Sequence, residues 1–231
     1  MSIVLPKKKI KVTNKNPRKF ILYSQPKMGK TTVLSQLDNC LIIDLENGSD
    51  FVDALKVKAN NLKEFYEIGE TIKAENKPYK YVAIDTITRL EKWCEDTAKN
   101  MYKKTPMGKK FAGESVLTLP NGAGYLYLRL AFEQWLEYAS SLAEHVIYVG
   151  HLKNKLIEKK GKEVNAKDLD LTGKIASITS ANADAIGYLY RDSESKLKIN
   201  FQAQDELIAG SRCEHLKGQD IEFDWSKIYI D

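Results

Sequence analysis

The feature that most constrains this chain is Phe20-Ile21-Leu22-Tyr23-Ser24-Gln25-Pro26-Lys27-Met28-Gly29-Lys30-Thr31-Thr32, where an apolar run breaks into a small-residue turn and then into an amphipathic segment carrying Val33, Leu34 and Leu37. A strand, a tight turn and a helix in that order leave backbone N–H groups exposed at the helix start, a concave donor surface suited to phosphate oxygens. Gly29 removes the β-carbon that would block close approach. Lys30 reaches the β- and γ-phosphates as a point charge, and Thr31 offers a hydroxyl to the magnesium ion that bridges them. On this reading Ser24, Gln25, Pro26, Lys27, Met28, Gly29, Lys30, Thr31 and Thr32 form the nucleotide-binding loop, with ATP and Mg2+ as its cofactors. The pattern G-x-x-x-x-G-K-[ST] calls for glycine where Ser24 stands, so the chain must enter the loop in an ordinary backbone region. The alternative is a glycine-containing strand-to-helix turn with no ligand.

Length and composition then bound the rest. A chain of 231 residues with 43% hydrophobic content can bury one sizeable core, so a single domain over 1–231 is expected. Cys40, Cys94 and Cys213 are odd in number and form no C-x-x-C pair, which together with an N-terminus lacking an apolar leader implies a reducing, cytoplasmic compartment and no structural zinc. No run is long enough to span a bilayer, so no membrane partner is expected. The net charge of +5 permits an anionic partner without requiring one. Residues 1–18 read as a basic arm. Within it, Pro6 to Val12 has the look of a nuclear-import signal but is taken as a solvated arm or edge strand, where lysines discourage aggregation.

Along the chain, Cys40–Asp44 and Tyr81–Thr86 read as further buried strands, and residues 61–75 as a surface helix with Leu62, Phe65, Tyr66, Gly69 and Ile72 on one face. A long helix carries Leu90, Trp93, Cys94, Thr97 and Met101, and a second spans about 123–143. Strand four is placed at Val146–Gly150, with His151 just past its end. Residues 155–158 and 162–165 suggest a mobile basic hairpin, and 186–190 with 197–201 another that turns at Asp192 to Ser195. This alternation gives an α/β fold, a mostly parallel sheet with helices on both faces and an antiparallel β extension on the C-terminal side.

Three strand ends carry further chemistry. Asp85 stands where an aspartate would hold the magnesium, although an acid there also caps the next helix at Thr86. Because Thr86, not glutamate, follows Asp85, the carboxylate that activates water must come from another strand; Glu46 is the candidate and Asp44 its competitor. His151 offers a donor that would sense a γ-phosphate and shift the basic segment behind it, or else a structural hydrogen bond. Glu46, Lys30 and His151 are thus the candidate catalytic residues, and Thr31 with Asp85 the metal ligands.

The set Ser24 to Thr32, Asp44-Leu45-Glu46, Val82 to Thr86 and Val149-Gly150-His151 resembles the RecA-like P-loop ATPases, and most of all the small phage-encoded members that act in single-strand annealing or recombination. The resemblance runs from about Lys19 to Arg212. It implies a catalytic role for Glu46, with His151 in place of the glutamine that opens the second DNA-binding loop. It also makes residues 103–122 and 152–180 the DNA-facing loops, with Lys103, Lys104, Lys109, Lys110, Lys153, Lys155, Lys159 and Lys160 as contacts. Read on their own, the two basic segments are equally well explained as solvated lysine faces, and Tyr102, Phe111, Tyr125 and Tyr127 flank the first as candidates for stacking. Arg212 would be a cation acting on a neighbouring subunit's nucleotide, or an ordinary surface arginine. The implied function is a slow, DNA-stimulated ATPase in a ring or filament on single-stranded DNA, in the host cytoplasm if phage-encoded, with a single-strand binding protein as a possible associate. Two other functions fit a P-loop: a nucleotide or metabolite kinase, for which no arginine-rich lid is visible, and a helicase-loader type AAA motor, from which Asp85-Thr86 departs.

Overall fold

Strands β1 (Lys19–Ser24), β2 (Cys40–Asp44) and β4 (Tyr81–Asp85) are short apolar runs because both of their faces are covered. Along β1 the alternation is visible in where side chains go: Ile21 and Tyr23 enter one core, Phe20 and Leu22 the other. The computed structural model describes residues 5–159 and 162–231. The remaining elements are α1 (Lys30–Ser35), β3 (Leu55–Lys58), α2 (Leu62–Ala74), α3 (Ile87–Lys103), α4 (Ala123–Ser140), β5 (His145–Lys159), β6 (Lys162–Leu169), α5 (Ile175–Asn182), β7 (Ala185–Arg191), β8 (Leu197–Asn200), β9 (Gly210–Ser211), β10 (Asp220–Glu222) and α6 (Trp225–Ile228). Among the described residues no helix is long and apolar enough to cross a membrane.

The sheet runs β10-β8-β7-β1-β5-β4-β2-β3, with β6 attached to β5 and β9 to β7. Pairing from β7 through β1, β5, β4 and β2 to β3 is parallel, while β8, β10, β9 and β6 add antiparallel strands. Helices α2 to α5 cover one face, burying Phe65, Leu90, Cys94, Leu128, Phe132 and Ile175. The other face holds Val33 and Leu34 of α1 with Leu216, Trp225 and Ile228. Trp225 also donates its indole N–H to the Val33 carbonyl at 2.6 Å, fastening the C-terminal segment to α1. The expected α/β architecture is therefore present, and Cys40, Cys94 and Cys213 are buried free thiols.

Several expectations need correction. Strand four does not stop at Gly150: β5 continues through His151 to Lys159, because past Leu152 it exchanges its parallel neighbours for an antiparallel partner, β6. The hairpin expected at 155–158 and 162–165 is present and longer than expected, so the segment 152–180 is a two-stranded ribbon followed by α5 rather than a loop. Within 103–122, 3-10 turns at Val116–Thr118 and Pro120–Gly122 lead into α4, with Val116 fully buried. The second long helix ends at Ser140. The basic arm forms no strand from Leu5 to Asn16, and its first four residues lie outside the described part. The short strands β3, β9 and β10 and the single-turn α6 were not anticipated.

Candidate nucleotide-binding site

Register at the carboxyl ends of the parallel strands assembles the site. Ser24 lies abreast of His151, Asp85 abreast of Val149, and Asp44 abreast of Asp85. Because β5 is inserted between β1 and β4, His151 arrives between the loop and the acid. A cavity of about 510 Å³ opens over these ends, lined by Pro26, Lys27, Gly29, Lys30, Thr31, Thr32, Asp44, Glu46, Gly48, Phe51, Val52, Asp85, Thr86 and His151. Its size suits a small polyanionic ligand.

The loop does what its residue types permit. Ser24 ends β1, and the left-handed positions are Lys27 (φ 62°) and Gly29 (φ 96°), so a serine at the loop's entry carries no positive φ. Lys30 is buried and donates to Ser24 Oγ at 3.1 Å and to the Gln25 carbonyl at 3.3 Å, while Ser24 Oγ donates onward to that same carbonyl at 2.9 Å. The hydroxyl that replaces glycine is therefore an acceptor for the lysine. Burial lowers the Lys30 pKa, opposed by the negative charges of Asp85 and Glu46. Met28 packs into the core beneath the loop, whereas Ser24 and Gln25 brace Lys30 instead of lining the cavity.

The acids divide by role. Thr31 Oγ1 donates to Asp85 Oδ2 at 2.7 Å, so the two groups expected to share a cation already touch. Burial raises the Asp85 pKa, opposed by Thr31 and Lys30. Among the described residues no cluster of three or more His, Cys, Asp or Glu could hold a metal. One hydroxyl and one carboxylate, completed by phosphate oxygens and water, nevertheless fit magnesium, which rarely occupies an all-protein cage. Asp44 accepts the backbone N–H groups of Glu46 (2.9 Å), Gly48 (3.3 Å) and Ser49 (2.8 Å), and so shapes the turn that presents Glu46. Glu46 in turn accepts from Thr86 Oγ1 at 2.8 Å and from His151 Nε2 at 3.0 Å. The His151 hydrogen bond lowers the Glu46 pKa most, burial opposes it, and Thr86 adds to the lowering. A cis peptide joins Asp85 to Thr86. Thr86 caps α3 by accepting from Arg89 N at 3.2 Å, so one hydroxyl both starts the helix and holds Glu46. His151 Nδ1 is buried without a partner among the described residues.

A family model described as an AAA domain matches residues 16–213, a span that contains every one of these groups. The chain belongs to this AAA-domain family. No curated protein matches it. Solved structures similar to this AAA domain include a KaiC-like protein from the hyperthermophilic archaeon Pyrococcus horikoshii OT3, at 12% identity and a TM-score of 0.46, covering 91% of this chain and 87% of that one. Another is the RadB recombinase, at 13% identity and a TM-score of 0.48, covering 92% of this chain and 90% of that one.

The remaining candidates lie elsewhere on the AAA domain, and none lines the cavity. Lys103 and Lys104 close α3, Lys109 and Lys110 sit in the turn beyond it, and Lys153 and Lys155 stand exposed on the β5–β6 ribbon. Lys160 and the side chain of Lys159 are outside the described residues. Lys153 donates to the Leu171 carbonyl at 3.4 Å, and Lys167 of the same ribbon lies 4.6 Å from the Tyr188 ring centroid. Of the four aromatics flanking the first segment, Tyr102 packs on Phe111 (5.4 Å) and on Tyr127 (5.3 Å), leaving Tyr125 standing out. Arg212 donates to the Ala181 carbonyl and lies 3.8 Å from Asp184, its backbone held at the amino end of β7, the end of the parallel strands opposite to its own cavity. The sequence expectation made Asp85 the alternative cap of α3, whereas the cap is Thr86, and it gave Thr86 no contact in the site and left out Gly48, Phe51 and Val52. The Asn47-Gly48 turn signal directly after Glu46 marks that stretch.

Proposed function

We propose that this AAA domain is a slow ATPase that binds ATP with magnesium, assembles as a homo-oligomer on single-stranded DNA and promotes annealing or recombination. The observation that carries the nucleotide half is the meeting, in one cavity, of Lys30, the Thr31–Asp85 pair and the Glu46–His151 pair, drawn from four strand ends. Lys30 leaves Ser24 Oγ and the Gln25 carbonyl for the β- and γ-phosphate oxygens. Thr31 and Asp85 would hold the magnesium, which would supply positive charge against the phosphates. Glu46, kept ionised by its two donors, orients the attacking water and accepts its proton. His151 exchanges its bond to Glu46 for one to a γ-phosphate oxygen, and the ribbon that begins one residue later moves with it. The DNA half is supported by the exposed lysines of the ribbon and of the turn after α3. Arg212 acts on the nucleotide of a neighbouring protomer, which its placement far from its own cavity allows.

The test is ATP turnover with and without a single-stranded oligonucleotide. Lys30→Ala should abolish turnover, and Glu46→Gln should retain ATP binding with turnover lowered about 100-fold or more. Turnover that ignores the oligonucleotide, with no salt-sensitive DNA binding, removes the DNA half. Phosphorylation of a nucleoside monophosphate replaces the ATPase with a kinase.

A further inference from the structure

Helix α1 carries Lys30 and Thr31 into the nucleotide cavity, yet little in its own sequence holds it in place. It is six residues long, and a helix this short does not persist by itself in water. Its N-cap is Gly29, which has no side-chain oxygen to cap with, and no acid in its first turn or base in its last complements its dipole. Its order must come from packing, and much of that packing comes from a segment beyond residue 213, where the family match ends. Leu216, Trp225 and Ile228 pack with Val33 and Leu34. The Trp225 indole N–H is donated at 2.6 Å to the Val33 carbonyl, which also accepts the Gln36 N–H at 3.2 Å. The same segment is pinned at its other end. Asn16 Nδ2 donates to the Ile230 carbonyl at 2.6 Å, and Asn16 Oδ1 accepts the Ile230 N–H at 2.9 Å. The Tyr229 ring lies 4.7 Å from that of Tyr81 and 5.0 Å from that of His145, the first residues of β4 and β5. Residues 214–231 thus tie the amino ends of the strands to the helix that faces the cavity at their carboxyl ends, and neither Trp225 nor Asn16 lines that cavity.

We infer that residues 214–231 set the affinity of the nucleotide site, with Trp225 as the residue that positions α1. The inference rests on the nucleotide half of the function proposed above and assigns part of that affinity to residues remote from the cavity. In the free protein the order of α1 depends on Trp225. With nucleotide bound, the phosphates hold Lys30 and Thr31 from the opposite end of the helix. Loosening the segment therefore lowers the fraction of molecules whose α1 is ready to bind, and the apparent Kd rises by the inverse of that fraction. Once nucleotide is seated the helix is re-formed, so turnover per bound nucleotide changes little. The coupling is reciprocal: bound nucleotide should slow amide exchange across residues 225–229, where the Tyr229 N–H is donated to the Trp225 carbonyl at 2.9 Å.

The experiment titrates the full chain with ADP carrying a fluorescent ribose label, in the presence of magnesium, and follows ATP turnover alongside. Trp225→Phe keeps a ring and loses the hydrogen bond to Val33, a loss that should raise the Kd of the labelled ADP about fivefold. KM for ATP should rise in step while kcat changes by less than about twofold. Asn16→Ala, which frees the other end of the segment, should raise Kd in the same direction. Ile72→Val is the control: it thins the core on the opposite face of the sheet, so it should lower Tm and leave Kd at the wild-type value. A wild-type Kd in both Trp225→Phe and Asn16→Ala, with Tm lowered, overturns the inference and leaves the segment a structural one. A Kd that rises as much in Ile72→Val also overturns it, because affinity then follows stability in general. So does a fall in kcat at unchanged KM. Lys30→Ala separates this failure from that of the nucleotide reading. If Lys30→Ala binds the labelled ADP as well as wild type does, or wild type binds none, both readings fall. If Lys30→Ala binds weakly while Trp225→Phe binds normally, only this inference is lost.

Discussion

Replacing Asp44 by asparagine separates a carboxylate that builds the site from one that reacts in it. Asp44 is 1% exposed, and its two oxygens take three backbone N–H groups, those of Glu46 and Gly48 on Oδ1 and that of Ser49 on Oδ2. Asn keeps the shape and one acceptor oxygen but sets an amide NH2 against the Ser49 N–H, losing a charge-assisted bond and stranding a buried donor. Together these cost about 3 kcal/mol. For a chain of this size each kcal/mol is worth about 2–4 °C, so Tm should fall by about 6–12 °C. Burial opposes ionisation of Asp44, but the hydrogen bonds from Ser49, Glu46 and Gly48 outweigh it and hold the pKa below its usual value. A depressed acid stabilises the fold above the unfolded-state pKa of about 3.9, and that contribution is lost as pH falls through the folded value. The gap between wild type and Asp44→Asn in urea unfolding should thus be full at neutral pH and narrow in acid. Turnover should fall as well, because the turn that loses its anchor carries Glu46. An unchanged Tm with collapsed turnover would show Asp44 to be the reacting carboxylate and refute the reasoning.

Three other outcomes are expected. Magnesium-ATP at about 100 times its Kd should stabilise the wild type by about 2.7 kcal/mol in thermal melts, and Lys30→Ala should show almost none of that shift; an equal shift in the variant would put the nucleotide elsewhere. In His151→Ala, Glu46 loses the hydrogen bond that lowers its pKa most, so the acid limb of the turnover profile should move to higher pH; a limb that stays in place would detach Glu46 from catalysis. Trp225→Phe keeps a ring near Phe20, 6.4 Å away, but removes the N–H given to the Val33 carbonyl. It should lower the urea midpoint by about 1 kcal/mol of stability at constant m-value, and a loss several times larger would assign the effect to ring packing.

What the sequence revealed, and what it hid, follows from how each element is held. Strands β1, β2 and β4 are buried on both faces, so their apolar runs mark their bounds to within about two residues. Beyond His151, β5 is held by hydrogen bonds to β6 and not by burial, and Lys153-Asn154-Lys155 carries no apolar period from which to read a strand. Four-residue β3 at the sheet edge and two-residue β9 are too short to show a period at all.

The site divides in the same way. Lys30, Thr31, Asp85, Glu46 and His151 were legible because each follows an apolar run, and parallel strands deliver their carboxyl ends to one edge. Which of these residues would touch was not legible, because contact depends on strand order. β5 enters between β1 and β4 although it comes later in the chain than either. Without that insertion His151 would stand at the margin of the site. With it, Glu46 from β2 and His151 from β5 meet above the intervening β4, whose Thr86 donates to the same carboxylate. The register that sets Asp44 abreast of Asp85 likewise places one acid under the turn while the other faces Thr31. Two similar strand-terminal aspartates therefore have different chemistry, and the difference arises from the pairing of strands 41 residues apart in the chain, counted from Asp44 to Asp85.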